Sequence, residues 1–415
     1  MPVTSPIRID AHTRRVSLDV HDPAFFRNPH LTYAALHAAA PAFYWEEQAQ
    51  WFFAGYDQVN ALLRDRRFGR QILHVATRDE LGLPAPEPHL ADFDKLEAAS
   101  LLELEPPAHT RLRTLVNRAF VSRQIEGLRL EIAALANRLI DGFEKDGKVE
   151  LLKAYAEIIP VTVIARMLGV PVEMGPKLLD WSHSMVKMYV FNPSHETQLE
   201  ANQASAEFAA YLREIVAAKR RQPADDLLSL MIAAEQDGER LTEDELISTA
   251  VLLLNAGHEA TVHQLGNAVS TILSHGLDPA PLFADPAATS RTVEECMRYA
   301  APLHLFQRYA LSDVTLDEGI ILRRGEKIGL MLAAANLDPR RFTDPLAFRP
   351  ARDEGPHLSF GAGIHFCIGA PLARLELALS LPILFQRLPS LRLACAPDVR
   401  DSWHFHGLER LDLAW

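Results

Sequence analysis

Cysteine is scarce in this 415-residue chain: Cys296, Cys367 and Cys395 are the only three. An odd, scattered set argues against a disulfide framework and for a reducing, cytoplasmic setting. Long apolar runs are missing as well, since no stretch reaches roughly 18 apolar residues unbroken. Met1–Arg8 lacks the apolar core of a secretion signal, so no membrane is expected to be involved. Excess positive charge is absent too. A net charge of −12 disfavours nucleic acid as a partner. There is no repeat, low-complexity tract or Gly/Ser linker to mark a domain boundary, although 415 residues alone would suggest two or more domains. One local absence stands out. Residues 108–124 hold Arg111, Arg113, Arg118 and Arg123 but no Asp or Glu. Such a run is either a solvated helix face or a basic patch for an acidic partner or for cofactor carboxylates.

The segment Phe360-Gly-Ala-Gly-Ile-His-Phe-Cys-Ile-Gly369 sets Cys367 in a glycine-studded loop just before an amphipathic stretch beginning Ala370-Pro-Leu-Ala. Pro371 suits a first helical turn. Cys367 therefore stands ahead of a helix N-terminus, where the dipole and free N–H groups favour a thiolate. Gly361, Gly363 and Gly369 allow positive φ and close approach to something flat. A thiolate beside a planar object suggests axial ligation of haem iron. Zinc fits poorly: Cys367 and His365 are too close together, and no further pair completes four ligands.

The chain reads as mainly α with a small β part. Strands are expected near 43–54, 314–332 and 391–415. Helices are expected over 56–63, 108–120, 126–145, 151–169, 174–189 and 197–220, with a long loop at 70–105. The strongest helix runs from about Glu243 to Leu273. It opens on a Thr242/Glu245 capping box and is followed by Gly276. At 1.5 Å per residue it spans roughly 45 Å.

Inside it stands Ala256-Gly-His-Glu-Ala-Thr261. Leu253, Ala256, Gly257, Ala260 and Gln264 share one face. Its small centre leaves room for a ligand plane, or else serves close helix packing. Glu259 offers an acid for proton relay. Glu295-Cys-Met-Arg298 pairs an acid and a base at i, i+3, a spacing that Glu126-Gly-Leu-Arg129 repeats. Haem carboxylates would need cationic donors. His109 and Arg113 lie one helical turn apart and can reach one such group.

The cysteine loop resembles the haem-binding loop of the cytochrome P450 superfamily in its soluble bacterial form. Likeness extends from about Asp22 to Trp415. It implies one helix-rich triangular domain over 1–415 with a small β subdomain, which overrides the length-based guess. It implies haem b (iron protoporphyrin IX) on the Cys367 thiolate, with Phe360 and Gly369 in the loop. His109, Arg113, Arg308 and His365 match the family's propionate-side positions. Ala256 and Gly257 match its oxygen-binding helix, and Glu295 with Arg298 its buried structural pair. One departure matters: Ala260 stands where the family usually has threonine, and Thr261 comes about 100° further round the helix. Ordinary hydroxyl-assisted proton delivery is thereby put in doubt.

The resemblance further implies a monooxygenase inserting one oxygen atom from O2 into a small apolar substrate. Electrons would come from a ferredoxin and a ferredoxin reductase, with the arginine run as docking surface. The pocket would draw on the 70–100 loop, the 174–195 segment, Leu253, Leu303, His304, Phe306 and 403–405. His304 and His404 either orient a polar group or are structural. Ala260 keeps open a peroxide-using or otherwise atypical haem-thiolate oxidase. A non-catalytic haem or gas sensor is the other alternative.

Overall fold

The computed structural model describes residues 7–119, 122–236 and 238–415. The longest described helix, Glu243–Ser274, runs through the middle of the molecule. Its N-terminus carries the expected capping box: Thr242 Oγ1 accepts from Glu245 N–H, and Glu245 accepts from Thr242 N–H. Most of its length is buried, including Leu246, Leu254, Val262 and Ile272. That is why its apolar residues run almost all round rather than in one stripe. Around it pack Ile158–Leu168, Gly175–Val186 and His195–Arg221 on one side, and Pro286–Tyr299 and Ala370–Arg387 on the other.

The β part is a seven-stranded sheet in the order Ile7–Asp10, Arg15–Leu18, Ala42–Trp45, Gln50–Phe53, Lys327–Met331, Leu305–Ala310, Phe68–Gly69. Its N-terminal hairpin and the Leu305–Ala310 strand were not expected from the sequence. The latter lies between partners from both ends of the chain. Tyr309 faces Lys327 on one edge and Gly69 on the other. This pairing brings residues 68–70 beside residue 308. A smaller sheet joins Lys148–Glu150, Asp412–Ala414 and Arg392–Leu393.

Three segments differ from expectation. The 70–105 loop contains a full helix, Ala91–Ala98, held by Phe93 and Leu96 in the core. The 151–169 helix is divided into a wide turn, Leu152–Ala156, and Ile158–Leu168. The 126–145 helix is shorter, Arg129–Phe143. Among the described residues no helix is long and apolar enough to cross a membrane.

Candidate active site around Cys367

Cys367 lies between a single turn, Gly363–His365, and the Ala370–Arg387 helix. Gly361 and Gly363 adopt φ of 69° and 72°, where a side chain would be strained, as expected. The loop closes when Cys367 N–H donates to Phe360 O at 3.0 Å. Gly369 corrects the sequence reading: its φ is −81°, an ordinary helical value. A Cβ there would lie 3.9 Å from Cys367 Sγ, in ordinary contact with the sulfur. Burial raises the thiol pKa, while the N–H groups of Gly369 and Ala370 and the charges of Arg113 and Arg374 oppose the rise. The helix terminus alone does not make the thiolate. A metal cation bound to the sulfur would supply the remainder.

Opposite the sulfur stands the middle of the Glu243–Ser274 helix. Leu253, Ala256, Gly257, Ala260 and Thr261 share a cleft of about 170 Å³ with Cys367 and Gly369. A second cavity of about 590 Å³ opens from the same floor, bordered by Glu259, Leu303, Phe306, Phe360 and His404. Both readings of Gly257 have support: it borders the cleft, and a Cβ there would meet Ile164 Cγ1 tightly at 3.1 Å. Thr261 Oγ1 donates to Gly257 O at 3.2 Å.

One flank of this space is cationic. Arg308 is buried, and its Nη1 donates to the neighbouring Gln307 O at 2.8 Å. Burial, then the charge of Arg70, push its pKa down to about 9. Arg70 pairs with Glu103, yet its Nε has no hydrogen-bond partner among the described residues. His365 Nε2 lies 3.4 Å from Glu105 Oε1 and its ring packs on His109 with centroids 4.4 Å apart. His109 is pushed down to about 4 by burial, His365 and Arg113, and its buried Nε2 has no hydrogen-bond partner among the described residues. Arg113 donates to Phe366 O at 2.8 Å.

Below the cysteine loop, Glu295 and Arg298 form a fully buried pair. Arg298 Nε and Nη2 reach the two carboxylate oxygens at 2.7 and 2.8 Å. Arg352 Nε adds a second guanidinium at 3.2 Å, and Arg298 Nη1 donates to Asn336 O and Pro345 O.

The cytochrome P450 profile matches residues 287–399. Cytochrome P450 monooxygenase PikC of Streptomyces venezuelae is 36% identical over 402 residues, covering 94% of this chain and 92% of that protein. The polyketide biosynthesis cytochrome P450 PksS of Bacillus subtilis is 35% identical over 368 residues, 88% of each. Among solved structures, P450BioI in complex with an acyl carrier protein ligated to hexadec-9Z-enoic acid superposes with a TM-score of 0.87. It is 33% identical, over 95% of this chain and all of that one.

The chain belongs to the cytochrome P450 family. It is a haem-dependent oxidoreductase of the monooxygenase class, and the family uses a cysteine thiolate as haem ligand. The residues gathered here fit such a group. A cysteine sulfur faces a cleft bordered by Gly369, Gly257 and Ala256. The flank holds polar groups left short of partners among the described residues: Arg308 has no ion pair of its own, and Arg70 Nε and His109 Nε2 have no hydrogen-bond partner. Two partly desolvated carboxylates of a P450 haem would satisfy such groups.

Placement of the expected residues is uneven. Leu303, Phe306 and His404 border the larger cavity, with Val186–Asn192, but the 70–100 loop contributes only Arg70. His304 is a correction. Its Nδ1 bonds Tyr33 Oη at 2.7 Å, its Nε2 bonds Ala301 O, and it borders a different cavity near His30 and His406. Trp403 is likewise withdrawn, donating to Tyr33 Oη. The arginine run is also largely engaged: Arg111 pairs with Glu239 and Glu245, and Arg113 faces the cysteine loop. Phe120, Val121 and the side chain of Arg123 lie outside the described residues.

Four residues were missed around Glu259. His183 Nε2 lies 3.4 Å and His258 Nε2 3.9 Å from its Oε2, while His263 Nε2 at 3.3 Å and Arg400 Nη1 at 3.6 Å face Oε1. Burial works to raise this carboxyl, yet the bonds from His183 and His263 hold it well below the usual range. Only the His258–Glu259–His263 spacing on one helix hinted at this cluster in the sequence.

Proposed function

We propose that this chain inserts one oxygen atom from O2 into a small, largely apolar molecule held above Cys367, with Cys367 as the axial ligand of haem b. The carrying observation is the position of Cys367 Sγ on the floor of a cavity whose roof is the Ala256/Ala260 face. Haem bound there supplies oxygen activation and electron storage, which no side chain offers.

The protein's own residues would do the rest. Arg70, His109, Arg113, Arg308 and His365 hold the group's carboxylates. Leu252, Ala256, Ala260, Leu303 and Phe306 give the inner cavity an apolar wall and exclude water. Gln48, Gln50, Asn192 and Lys327 border the same cavity further out, so a polar or anionic end of the substrate is best placed there. PksS and P450BioI are similar proteins whose names and structures involve polyketide synthesis and a carrier-bound acyl chain. An extended acyl-type molecule suits this cavity for the same chemical reason.

Ala260 has no hydroxyl and that of Thr261 is bonded to Gly257, so protons need another donor. His183, with 43% of its side chain exposed, reaches Glu259 Oε2 at 3.4 Å, and Glu259 borders the cavity. This is the route from solvent. Electrons are supplied by a separate ferredoxin and its reductase. Arg111 is a weak anchor for that partner because Glu239 and Glu245 already hold it.

The same missing hydroxyl favours a second reading, in which peroxide supplies both oxygen and reducing equivalents. Purified protein should show the carbon monoxide difference spectrum of a thiolate-ligated haem, lost in Cys367→Ala. Product formed with ferredoxin, reductase and O2 supports the first reading; product with peroxide alone supports the second. A haem-free preparation counts against both.

A further inference from the structure

We propose that His183, His258 and Glu259 bind a divalent transition-metal ion of the zinc class, at a site separate from Cys367. The tautomer of His258 is the starting point. Its Nδ1 lies 2.6 Å from Leu254 O, and a carbonyl can only accept, so Nδ1 carries the proton. Nε2 is therefore a lone pair. It is buried, and it has no hydrogen-bond partner among the described residues. Facing it at 3.9 Å is Glu259 Oε2, another acceptor. Two acceptors opposed in a low-dielectric interior repel unless a cation lies between them.

The separations suit one ion. Zinc takes His nitrogen and carboxylate oxygen at about 2.0–2.2 Å, so two ligands of a tetrahedral ion stand about 3.3–3.6 Å apart, a spacing the His183–Glu259 pair already has and His258 reaches by closing a few tenths of an ångström. Glu259 Oε2 is 3.4 Å from His183 Nε2 and 3.9 Å from His258 Nε2, and the three ligand atoms lie within 4.8 Å of one another. Half-exposed His183 gives the ion a path in and can close the longest gap by a rotamer change. The outer partners are also in place. Leu254 O orients His258, and His263 and Arg400 hold the other carboxylate oxygen, Oε1, leaving Oε2 for the metal. Two imidazoles and one carboxylate suit zinc and its first-row neighbours better than magnesium or calcium. Since Glu259 is also on the proton route proposed above, an ion here would slow oxygen-driven turnover. That consequence rests on the proposed function; the site does not.

The test uses chelator-treated holoenzyme titrated with Zn2+ by calorimetry, with anomalous diffraction at the zinc edge. One equivalent is expected, with its peak among the three side chains. His183→Ala and His258→Ala should each weaken binding at least about tenfold, while the surface control His21→Ala should not. Uptake unchanged in both variants, or a peak elsewhere, overturns the proposal. If His258→Ala does not fold, His183→Ala, at a half-exposed position, decides alone.

Discussion

The hydroxyl of Thr261 is bonded to the carbonyl oxygen of Gly257, 3.2 Å away and one turn earlier in the same helix. The neighbour that looks onto the cavity, Ala260, has no polar atom to offer. Thr261 borders only the smaller cleft beside Cys367, with its hydroxyl engaged, whereas a threonine one position earlier would bring a hydroxyl to the larger cavity as well. Ala260→Thr should raise the fraction of electrons recovered in product, by on the order of tenfold where proton supply limits. Thr261→Val should leave it unchanged, because that hydroxyl already serves the backbone. Product formed per reduced nicotinamide consumed is the measurement. Equal coupling in wild type and Ala260→Thr would show that Glu259 suffices.

Glu295 and Arg298 have the same spacing as Glu126 and Arg129, but opposite surroundings. The first pair is 2–3% exposed, whereas Arg129 and Glu126 are 49% and 63% exposed. Glu295→Gln would leave Arg298 and Arg352 buried without their shared anion, at a cost of about 3–5 kcal/mol. Arg129→Ala should cost about 0–1 kcal/mol. Denaturant unfolding of the two variants beside wild type checks this contrast. Comparable losses would mean that the buried triad does not anchor the segment around residues 336–352 more firmly than a surface pair would.

Arg308 gives a prediction with two opposite signs. It is buried without an ion pair, and burial with the Arg70 charge holds its pKa down to about 9. Arg308→Leu should therefore stabilise the haem-free chain by about 1–4 kcal/mol. The same change removes a charged donor to a haem carboxylate, worth about 1.5–3 kcal/mol. Haem affinity should fall roughly 10–100-fold, read by transfer to apomyoglobin. A variant that loses stability without losing haem would place Arg308 in the scaffold alone.

Local signals were legible in the sequence wherever one segment carries the whole feature. The positive-φ glycines, the Thr242 capping box and the Cys367 loop are all settled within a few residues of chain. Gly369 misled because its place in a glycine-rich loop suggested positive φ, whereas it already caps the following helix with φ of −81°. Arg70 could not be read, since it meets Arg308 only because Phe68–Gly69 pairs with Leu305–Ala310 across most of the chain. His183 is brought to Glu259 by the crossing of Gly175–Val186 over the long helix. His304 looked like a cavity residue from its neighbours Leu303 and Leu305–Phe306. It lies just ahead of the Leu305–Ala310 strand, where alternation does not govern its direction, and its ring bonds Tyr33 Oη instead.

Glu376 offers a test of the interior itself. It is 2% exposed on the Ala370–Arg387 helix, and neither carboxylate oxygen has a hydrogen-bond partner among the described residues. Burial raises its pKa well above the usual carboxylate range. The folded state therefore keeps a proton that the unfolded chain gives up. Above the unfolded pKa, near 4.5, each rise in pH favours unfolding, by up to about 1.4 kcal/mol per pH unit until the folded pKa is reached. Glu376→Gln removes this ionisation while keeping the shape. Its stability should exceed that of wild type, and the gap should be wider at about pH 8 than at about pH 6. Denaturant midpoints at the two pH values measure it. Parallel curves would mean that the carboxyl ionises in place and has found a cation or water to hold it.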